Sequence, residues 1–383
     1  MSKYKLRAGS VTGVLLLLFL GSVATANLFT PDKPFSEAEN RVLDQHPTFS
    51  FDSLLAGRFI PAYEQYTSDQ FALRDSWAVM KARANRALGK KDINGVYLGQ
   101  DHILLESYTS PSHADLEKRV QALRVFHQAT PNLRKYVLLA PTASSVLSDK
   151  LPAFAPVGDQ LADLEQFYRM LPTGIYTVEV HSVLRDRREH EPSLYYKSDH
   201  HWTTHGAYYA YQELCRKMGT APRDKAAFEV REVTDDFYGS LSSKSVYRGP
   251  EPDRIELYLP KEREQLQVTY VDEARTTSSL YEPEHLSRND KYAIFLNGNH
   301  ALVRVKTGIA AGKRLLIVKD SYANSLIPFM TRHYDEIDIV DLRYYDASLL
   351  QLVQERPYEE LLLLYNAKTF FEDPSILHIT EGI

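Results

Sequence analysis

Apolar residues open the chain as one unbroken block and then settle into shorter rhythms. Residues 11–29 carry no charge and centre on Leu15 to Leu18, a run just long enough to cross a bilayer as a helix. Residues 30–47 are rich in Pro, Asp and Glu and read as a linker. Helical spacing appears at residues 59–66 and 74–88, where Trp77, Met80, Ala84 and Leu88 recur and Gly89 is the stop signal. Two helices packed on a main domain are expected there. Residues 96–99 and 102–105 predict a short hairpin turned across Gln100 and Asp101.

From residue 112 helix and strand alternate. Ser112 caps a predicted helix to residue 128, and 136–141 is an apolar run closed by Pro141, as in a buried parallel strand. A helix at 160–171, a strand at 175–180 and a helix at 205–218, ended by Gly219, continue the pattern. It breaks into polar loops and short strands (255–259, 267–271) between 220 and 313, read as an insertion or lid. It then resumes with strands at 314–318, 337–341 and 360–365 and helices at 322–333 and 347–354. This alternation predicts an α/β fold with a parallel, doubly wound sheet.

Composition adds limits. A chain of 383 residues suits one large domain plus accessory pieces, and 44% apolar against 25% charged residues can bury a core. The net charge is -5 and no long basic run occurs, so nucleic acid is not an expected partner. Most of the 25 Tyr are expected at the core or its rim, with stacking on carbohydrate as the alternative. Lys3, Lys5 and Arg7 precede the apolar block, which predicts a cytoplasmic N-terminus and export of everything after Thr30. Ala24-Thr25-Ala26 also fits a cleavage site, so a removed signal peptide stands beside the favoured retained anchor. Cys215, the single cysteine, forms no internal disulfide, and nothing near it marks an activated thiol.

Polar function is densest from Tyr196 to Gly206, where Asp199, His200, His201, Trp202 and His205 crowd before a helix. Asp199 can accept from one ring nitrogen of His201 while the other faces a nucleophile. Ser321, in Lys319-Asp320-Ser321-Tyr322, falls at a strand–turn–helix start, where N–H groups and the helix dipole favour an oxyanion; an ordinary helix cap is the alternative. Asn366 ends an apolar strand and is placed either to donate to an oxyanion or to close the strand as a turn. His201 and His205, four apart, would with Asp199 also suit a metal. No second ligand cluster accompanies them, and no metal is expected. His200 is expected to structure the loop and Trp202 to pack under it. Asn299 is a candidate to face the site from the insertion, with a plain turn as the alternative. Arg343 and Tyr344 lie beyond a strand's carboxyl end, where ligands bind in such sheets; a surface salt bridge is the alternative for Arg343.

These residues resemble known blocks. Lys319-Asp320-Ser321 resembles the Gly-Asp-Ser block of SGNH hydrolases with Lys for Gly, and Leu362-Leu363-Leu364-Tyr365-Asn366 resembles their Asn block. Asp199-x-His201 resembles their Asp-x-x-His block, one residue shorter. The Asp-His pair precedes the Ser here, which matches a circular permutation in which the usual fourth and fifth strands come first. That arrangement is similar to the alginate O-acetyltransferases and the related DHHW proteins. Their N-terminal signatures resemble Glu39-Asn40-Arg41-Val42-Leu43, Asp69-Gln70-Phe71-Ala72-Leu73-Arg74-Asp75 and Val96-Tyr97-Leu98-Gly99, and their segment after the second strand resembles Asp341-Leu342-Arg343-Tyr344-Tyr345.

The resemblance implies an SGNH-like three-layer α/β/α fold, circularly permuted. Its catalytic domain would span 59–378 with the insertion at 220–313, after an anchor or signal peptide (1–29) and a linker (30–58). It implies a triad of Ser321, His201 and Asp199, with Asn366, Arg343, Tyr344, Asn299 and Trp202 as candidate oxyanion or substrate-binding residues. The implied activity is extracytoplasmic O-acyl transfer, acetyl being the expected group, to a cell-surface or secreted polysaccharide. No cofactor is expected, and a membrane-bound O-acyltransferase partner would supply the acyl group. A polysaccharide acetylesterase and a non-catalytic polysaccharide-binding or assembly scaffold are the alternatives.

Overall fold

The computed structural model describes residues 2–36, 41–189, 193–245, 247, 251–262 and 264–382. Glu39 and Asn40 of the first signature thus lie outside the described residues. The chain divides into two compact units, Met1–Lys90 and Lys91–Ile383, so residues 59–90 belong to the first unit.

In the first unit, helix α1 (Ser2–Phe29) contains one span, Val11–Phe29, long and apolar enough to cross a membrane, with mean hydropathy 2.0 and 0% of it buried. The described residues within 30–47 make specific contacts with the rest of the unit. Strands Phe35–Ser36 and Arg41–Val42 pair, and the Asp44 N–H donates to Asp69 Oδ2 at 2.9 Å. Buried Asp69 and the neighbouring Gln70 offer side-chain acceptors that fold this segment back. Helices α2 (Phe51–Leu55), α3 (Phe59–Asp69) and α4 (Arg74–Ala87) complete the unit.

The second unit is built on an eight-stranded sheet. Its strands are β1 (Arg134–Ala140), β2 (Ile175–Thr177), β5 (Gln267–Tyr270), β6 (Arg275–Thr277), β7 (Leu302–Lys306), β8 (Arg314–Lys319), β9 (Glu336–Val340) and β10 (Glu360–Asn366). Two more, β3 (Phe228–Phe237) and β4 (Asp253–Pro260), form a separate antiparallel ribbon. The sheet order is β6-β5-β7-β9-β8-β10-β1-β2. Pairs β9–β8, β8–β10, β10–β1 and β1–β2 are parallel. The strands after residue 313 occupy the middle of the sheet and the two earliest lie at one side, which is the order of a permuted SGNH-like fold.

Alternate side chains of β8 and β10 serve opposite faces. Leu315, Ile317, Leu362 and Leu364 join Tyr208, Ala210 and Leu214 of helix α8 (Thr204–Met218) in one core. Leu316, Val318, Leu361 and Leu363 join Leu123 and Phe126 of α5 (His113–Ala129) and Phe167 of α6 (Gln160–Met170) in the other. Both faces are covered, which explains why these strands read as continuous apolar runs. Short helices α7 (His181–Arg187), α9 (Leu349–Glu355) and α10 (Ala367–Glu372) fill the connections.

Three local expectations change. The strand expected at 175–180 stops at Thr177, although the Val178 N–H still reaches the Val137 carbonyl at 2.9 Å. The helix expected at 322–333 is instead a 3-10 turn, Ser321–Ser325, followed by Ile327–Met330, because Pro328 has no N–H to carry one continuous helix. The insertion is only partly separate. Strands β5, β6 and β7 extend the central sheet in antiparallel fashion beyond β9, and β3, missed because its middle residues are mostly solvent-facing and charged, pairs with β4.

Candidate active site

The carboxyl ends of β8, β10 and β1 converge beneath a loop that begins at Leu194. The Thr203 N–H donates to the Leu194 carbonyl at 2.9 Å, and Tyr195 and Trp202 form an antiparallel bridge. These contacts close residues 196–201 into a tight excursion just before α8, whose first turn is capped by the Thr203 side chain. The expected hairpin, Val96–Leu98 paired with Leu104–Glu106, props it from outside, with the Leu104 N–H donating to the Lys197 carbonyl at 2.7 Å.

Within this loop the structure brings Asp199, His201 and Ser321 into one hydrogen-bonded chain. His201 Nδ1 lies 2.5 Å from Asp199 Oδ1, and His201 Nε2 lies 2.8 Å from Ser321 Oγ. With Asp199 ionised, Nδ1 carries the proton and Nε2 is left as the acceptor for the serine hydroxyl. Asp199 and His201 are buried, while Ser321 is partly exposed and reachable. Burial opposes the Asp199 charge, but His201, His200 and the hydrogen bonds from His201 outweigh it and hold the carboxyl well below its usual range. Burial, then the neighbouring His200, holds the His201 imidazole below its ordinary value against the pull of Asp199.

The loops are fastened to each other. Trp202 Nε1 lies 3.0 Å from the Tyr322 carbonyl and 3.1 Å from Ser325 Oγ, and the Tyr322 hydroxyl donates to the His200 carbonyl. Trp202 is fully buried, so it ties the histidine loop to the serine turn and offers no surface to a substrate. That corrects its inclusion among the substrate-binding candidates.

Asp320 caps the serine turn by accepting from the Tyr322 N–H at 2.9 Å, and its other oxygen accepts from the Asn366 N–H at 2.9 Å. Asn366 Oδ1 accepts from the Lys368 and Thr369 N–H groups at 2.9 and 3.3 Å, which orients the amide. Its amide nitrogen donates to the Ala140 carbonyl at 3.3 Å, and the residue is buried.

Lys319, where the SGNH block has Gly, turns its ammonium into a buried polar pocket. Nζ donates to Asn299 Oδ1 at 2.8 Å and Asn324 Oδ1 at 2.9 Å, and lies 3.6 Å from Asp341 Oδ2. Burial pulls its pKa down to about 8, with Asp341 opposing. Asn299 is exposed and held through its carbonyl, after a stretch in which Leu296, Asn297 and Gly298 all take left-handed backbone (φ 60, 55 and 85°). A buried Leu there is strained, which fits a turn fixed by its surroundings. Arg343 forms a two-pronged ion pair with fully buried Asp341 (2.8 and 2.6 Å). Its guanidinium sits 5.5 Å from the ring centre of exposed Tyr344.

His205 is engaged away from the Asp199–His201–Ser321 chain, with Nε2 2.7 Å from Glu256 Oε2 and Nδ1 2.6 Å from the Tyr258 hydroxyl. Asp199, His200 and His201 do offer ligand atoms within 4.8 Å of one another. Each is engaged, His200 Nδ1 with Ser240 Oγ at 2.6 Å and the others in the Ser321 chain, so an ion there would have to displace those bonds.

Four contributors have no counterpart in the sequence reading, and all come from the insertion. Tyr292 stacks on His201. Asp253 accepts from the Lys197 and Ser198 N–H groups at 2.8 and 2.7 Å. The Ser240 N–H donates to Asp199 Oδ2 at 2.7 Å, and Gly239 leaves room for this approach, since a side-chain carbon there would overlap Asp199. Only Gly239 carried a local signal, and a lone Gly is a weak one.

The family profile described as DHHW protein matches residues 134–340, more than half of the chain. A DHHW family protein from Eubacterium siraeum DSM 15702 superposes with a TM-score of 0.66 at 19% identity, covering 75% of this chain and 95% of that one. Bacillus cereus PatB1 with a sulfonyl adduct gives 0.61 at 18% identity, covering 74% and 97%. The O-acetyltransferase domain of Pseudomonas putida AlgJ gives 0.46 at 12% identity, covering 74% and 97%. No curated protein matches the sequence.

Proposed function

This chain belongs to the DHHW family, and from that premise we propose that it is an extracytoplasmic O-acyltransferase, acetyl being the expected group, acting on a cell-surface or secreted polysaccharide. The observation that carries the reading is the unbroken chain from Asp199 Oδ1 through His201 to Ser321 Oγ, at 2.5 and 2.8 Å. In this reading His201 Nε2 takes the Ser321 proton as Oγ bonds to the acyl carbonyl carbon. The Ser321 N–H and the Asn366 amide hold the oxyanion. Collapse breaks the bond to the donor's leaving atom, which takes the proton from His201. A sugar hydroxyl then gives its proton to His201 and attacks acyl-Ser321, and Ser321 recovers the proton as the acylated sugar departs.

Asp199 holds the imidazole in the tautomer this sequence needs. Exposed Tyr344 and Asn299, with partly buried Arg343 between Asp341 and the Tyr344 ring, would meet the acceptor. The apolar α1 fits an anchor or a signal peptide that places the site outside the cytoplasm, where a membrane-bound O-acyltransferase would supply the acyl group.

Bacillus cereus PatB1 carries a sulfonyl adduct in one structure, and sulfonyl fluorides trap serines activated by a base. The test is therefore direct. A sulfonyl fluoride should add its mass to the Ser321 peptide in the wild type and not in His201→Ala. Purified protein given p-nitrophenyl acetate and a defined oligosaccharide should yield acetylated sugar by mass spectrometry. Free acetate alone would make the protein an esterase. Normal polymer acetylation in cells carrying Ser321→Ala would remove both enzyme readings and leave a scaffold.

A further inference from the structure

Between Phe49 and Tyr63 the first unit leaves Phe49, Phe51, Leu54, Leu55, Ile60 and Tyr63 in solvent, Leu55 at 86% and Phe51 at 74% exposure. Helix α2 buries none of its residues. The rings form one patch: Phe49 meets Phe51 at 5.5 Å and Phe59 at 5.1 Å, and Phe59 stacks on Tyr63 at 5.8 Å. Gly57, in left-handed backbone (φ 70°), turns α2 into α3 so that both contribute. Asp52 and Arg58 are the only charged residues in the stretch. A contiguous aromatic surface of this kind marks a place where something sits.

Its attachment within the unit names the occupant. The Ala72 N–H donates to Asn27 Oδ1 near the end of α1 at 2.9 Å. Lys33 and Gln70 exchange two hydrogen bonds at 2.8 and 2.9 Å, and the Tyr66 hydroxyl donates to Asp32 Oδ2 at 3.0 Å. The carboxyl half of α3 is thus fastened to the segment where the chain leaves the apolar span. Helix α3 has 11 residues and is about 16 Å long, so its share of the patch, Phe59 and Tyr63, lies within about one helix length of those contacts, with Tyr63 packed on Tyr66 at 5.9 Å.

We propose that this patch rests in the headgroup–acyl boundary of the same bilayer that α1 crosses. Aromatic rings are the side chains suited to that layer, and interfacial helices bury their apolar faces about 5–10 Å into it. The unit then holds the membrane at two places, the span and the patch, which fixes its orientation as a single helix does not. The inference rests on the anchor alternative of the proposed function's reading of residues 11–29, in which the span is retained, and its test separates the two.

Full-length protein carrying Leu55→Cys, Leu18→Cys or Lys118→Cys is labelled with an environment-sensitive fluorophore. It is then reconstituted in phosphatidylcholine–phosphatidylglycerol vesicles with plain or brominated acyl chains. Cys215 is buried and its thiol is pushed up to about 12, so it stays unlabelled. Leu55 is so exposed that the substitution spares the fold. The probes at 55 and 18 should emit to the blue and lose emission to brominated lipid, while the probe at exposed Lys118 should do neither. Emission at 55 indifferent to bromination overturns the proposal, whether the probe is wet or is dried by a second copy or by the rest of the chain. Quenching at 18 without quenching at 55 removes the patch and keeps the anchor. Quenching at neither removes both.

Discussion

Tyr292 lies almost flat against His201, ring centroids 3.7 Å apart and planes 9° from parallel. Its hydroxyl reaches the Ser321 carbonyl at 3.3 Å and Ser325 Oγ at 3.2 Å. One side chain from the insertion therefore sets the plane of the proposed base and touches the turn of the proposed nucleophile. An aromatic face also favours the imidazolium that forms when Ser321 gives up its proton, by about 0.5–2 kcal/mol. Tyr292→Leu is expected to lower kcat for p-nitrophenyl acetate by about 10-fold, whereas Tyr292→Phe keeps the face and most of the rate. Equal losses in both variants would assign the effect to the hydroxyl.

The pH dependence follows from the shift of His201. Burial and the adjacent His200, whose ring centroid is 3.8 Å away, hold its pKa below the ordinary value. The base must be neutral to accept a proton, so the acid limb of kcat/KM should lie below the free imidazole value of about 6.5. His200→Gln removes the neighbour that, after burial, does most to hold the His201 imidazole down. The His201 pKa then rises and the limb moves to higher pH, with activity lost first in mild acid and kept at neutral pH. A limb that stays in place or moves down would show that His200 does not act through charge.

Gly239 has no room for a side chain, because Asp199 occupies that space while accepting from the Ser240 N–H. Gly239→Ala should push Asp199 off His201 without altering any group of the proposed triad. A displacement on the order of 1 Å in such a site costs about 100-fold, and kcat/KM should fall by that order while the circular dichroism spectrum is unchanged. Activity within a few-fold of wild type would mean that the loop yields at no cost to the proposed triad.

Much of this site was legible because its parts are local. Asp199 and His201 share one short loop, Ser321 follows an apolar strand, and Asn366 ends another, so period and turn residues located each of them. Strand order then placed them together, since the ends of β8, β10 and β1 are neighbours in the sheet. What stayed hidden depends on contacts remote in sequence. Tyr292 reads as one more aromatic in an irregular stretch, and Asp253 as a surface acid before a strand. The Lys319 side chain looked like a departure from a small-residue block, and only the fold shows it pointing at Asn299, Asn324 and Asp341. Trp202 packs under the loop as expected, and only its place among the substrate-binding candidates fails: its neighbours are catalytic candidates, but its indole is turned inward to the serine turn.

Asp253 offers the clearest measure of how far the insertion supports the site. Its carboxylate accepts from the Lys197 N–H (2.8 Å), the Ser198 N–H (2.7 Å) and the Ser198 hydroxyl (2.5 Å). Ser198 Oγ in turn accepts from the Gly239 N–H at 3.0 Å, one residue before the Ser240 contact to Asp199. Asp253→Ala leaves these donors without their acceptor in a buried place, at about 1–3 kcal/mol for each that water does not reach. Stability measured by urea unfolding should fall by about 2–4 kcal/mol, and activity should fall further than stability at temperatures where the variant is still folded. Asp253→Asn keeps one oxygen as acceptor and should recover part of both. If Asp253→Ala unfolds at the wild-type urea midpoint yet loses activity, the carboxylate positions the loop without stabilising the fold. If it keeps both, the loop from Tyr196 to His201 is held well enough by its own bridge, Trp202 and its contacts with Leu104, Tyr322 and Ser240.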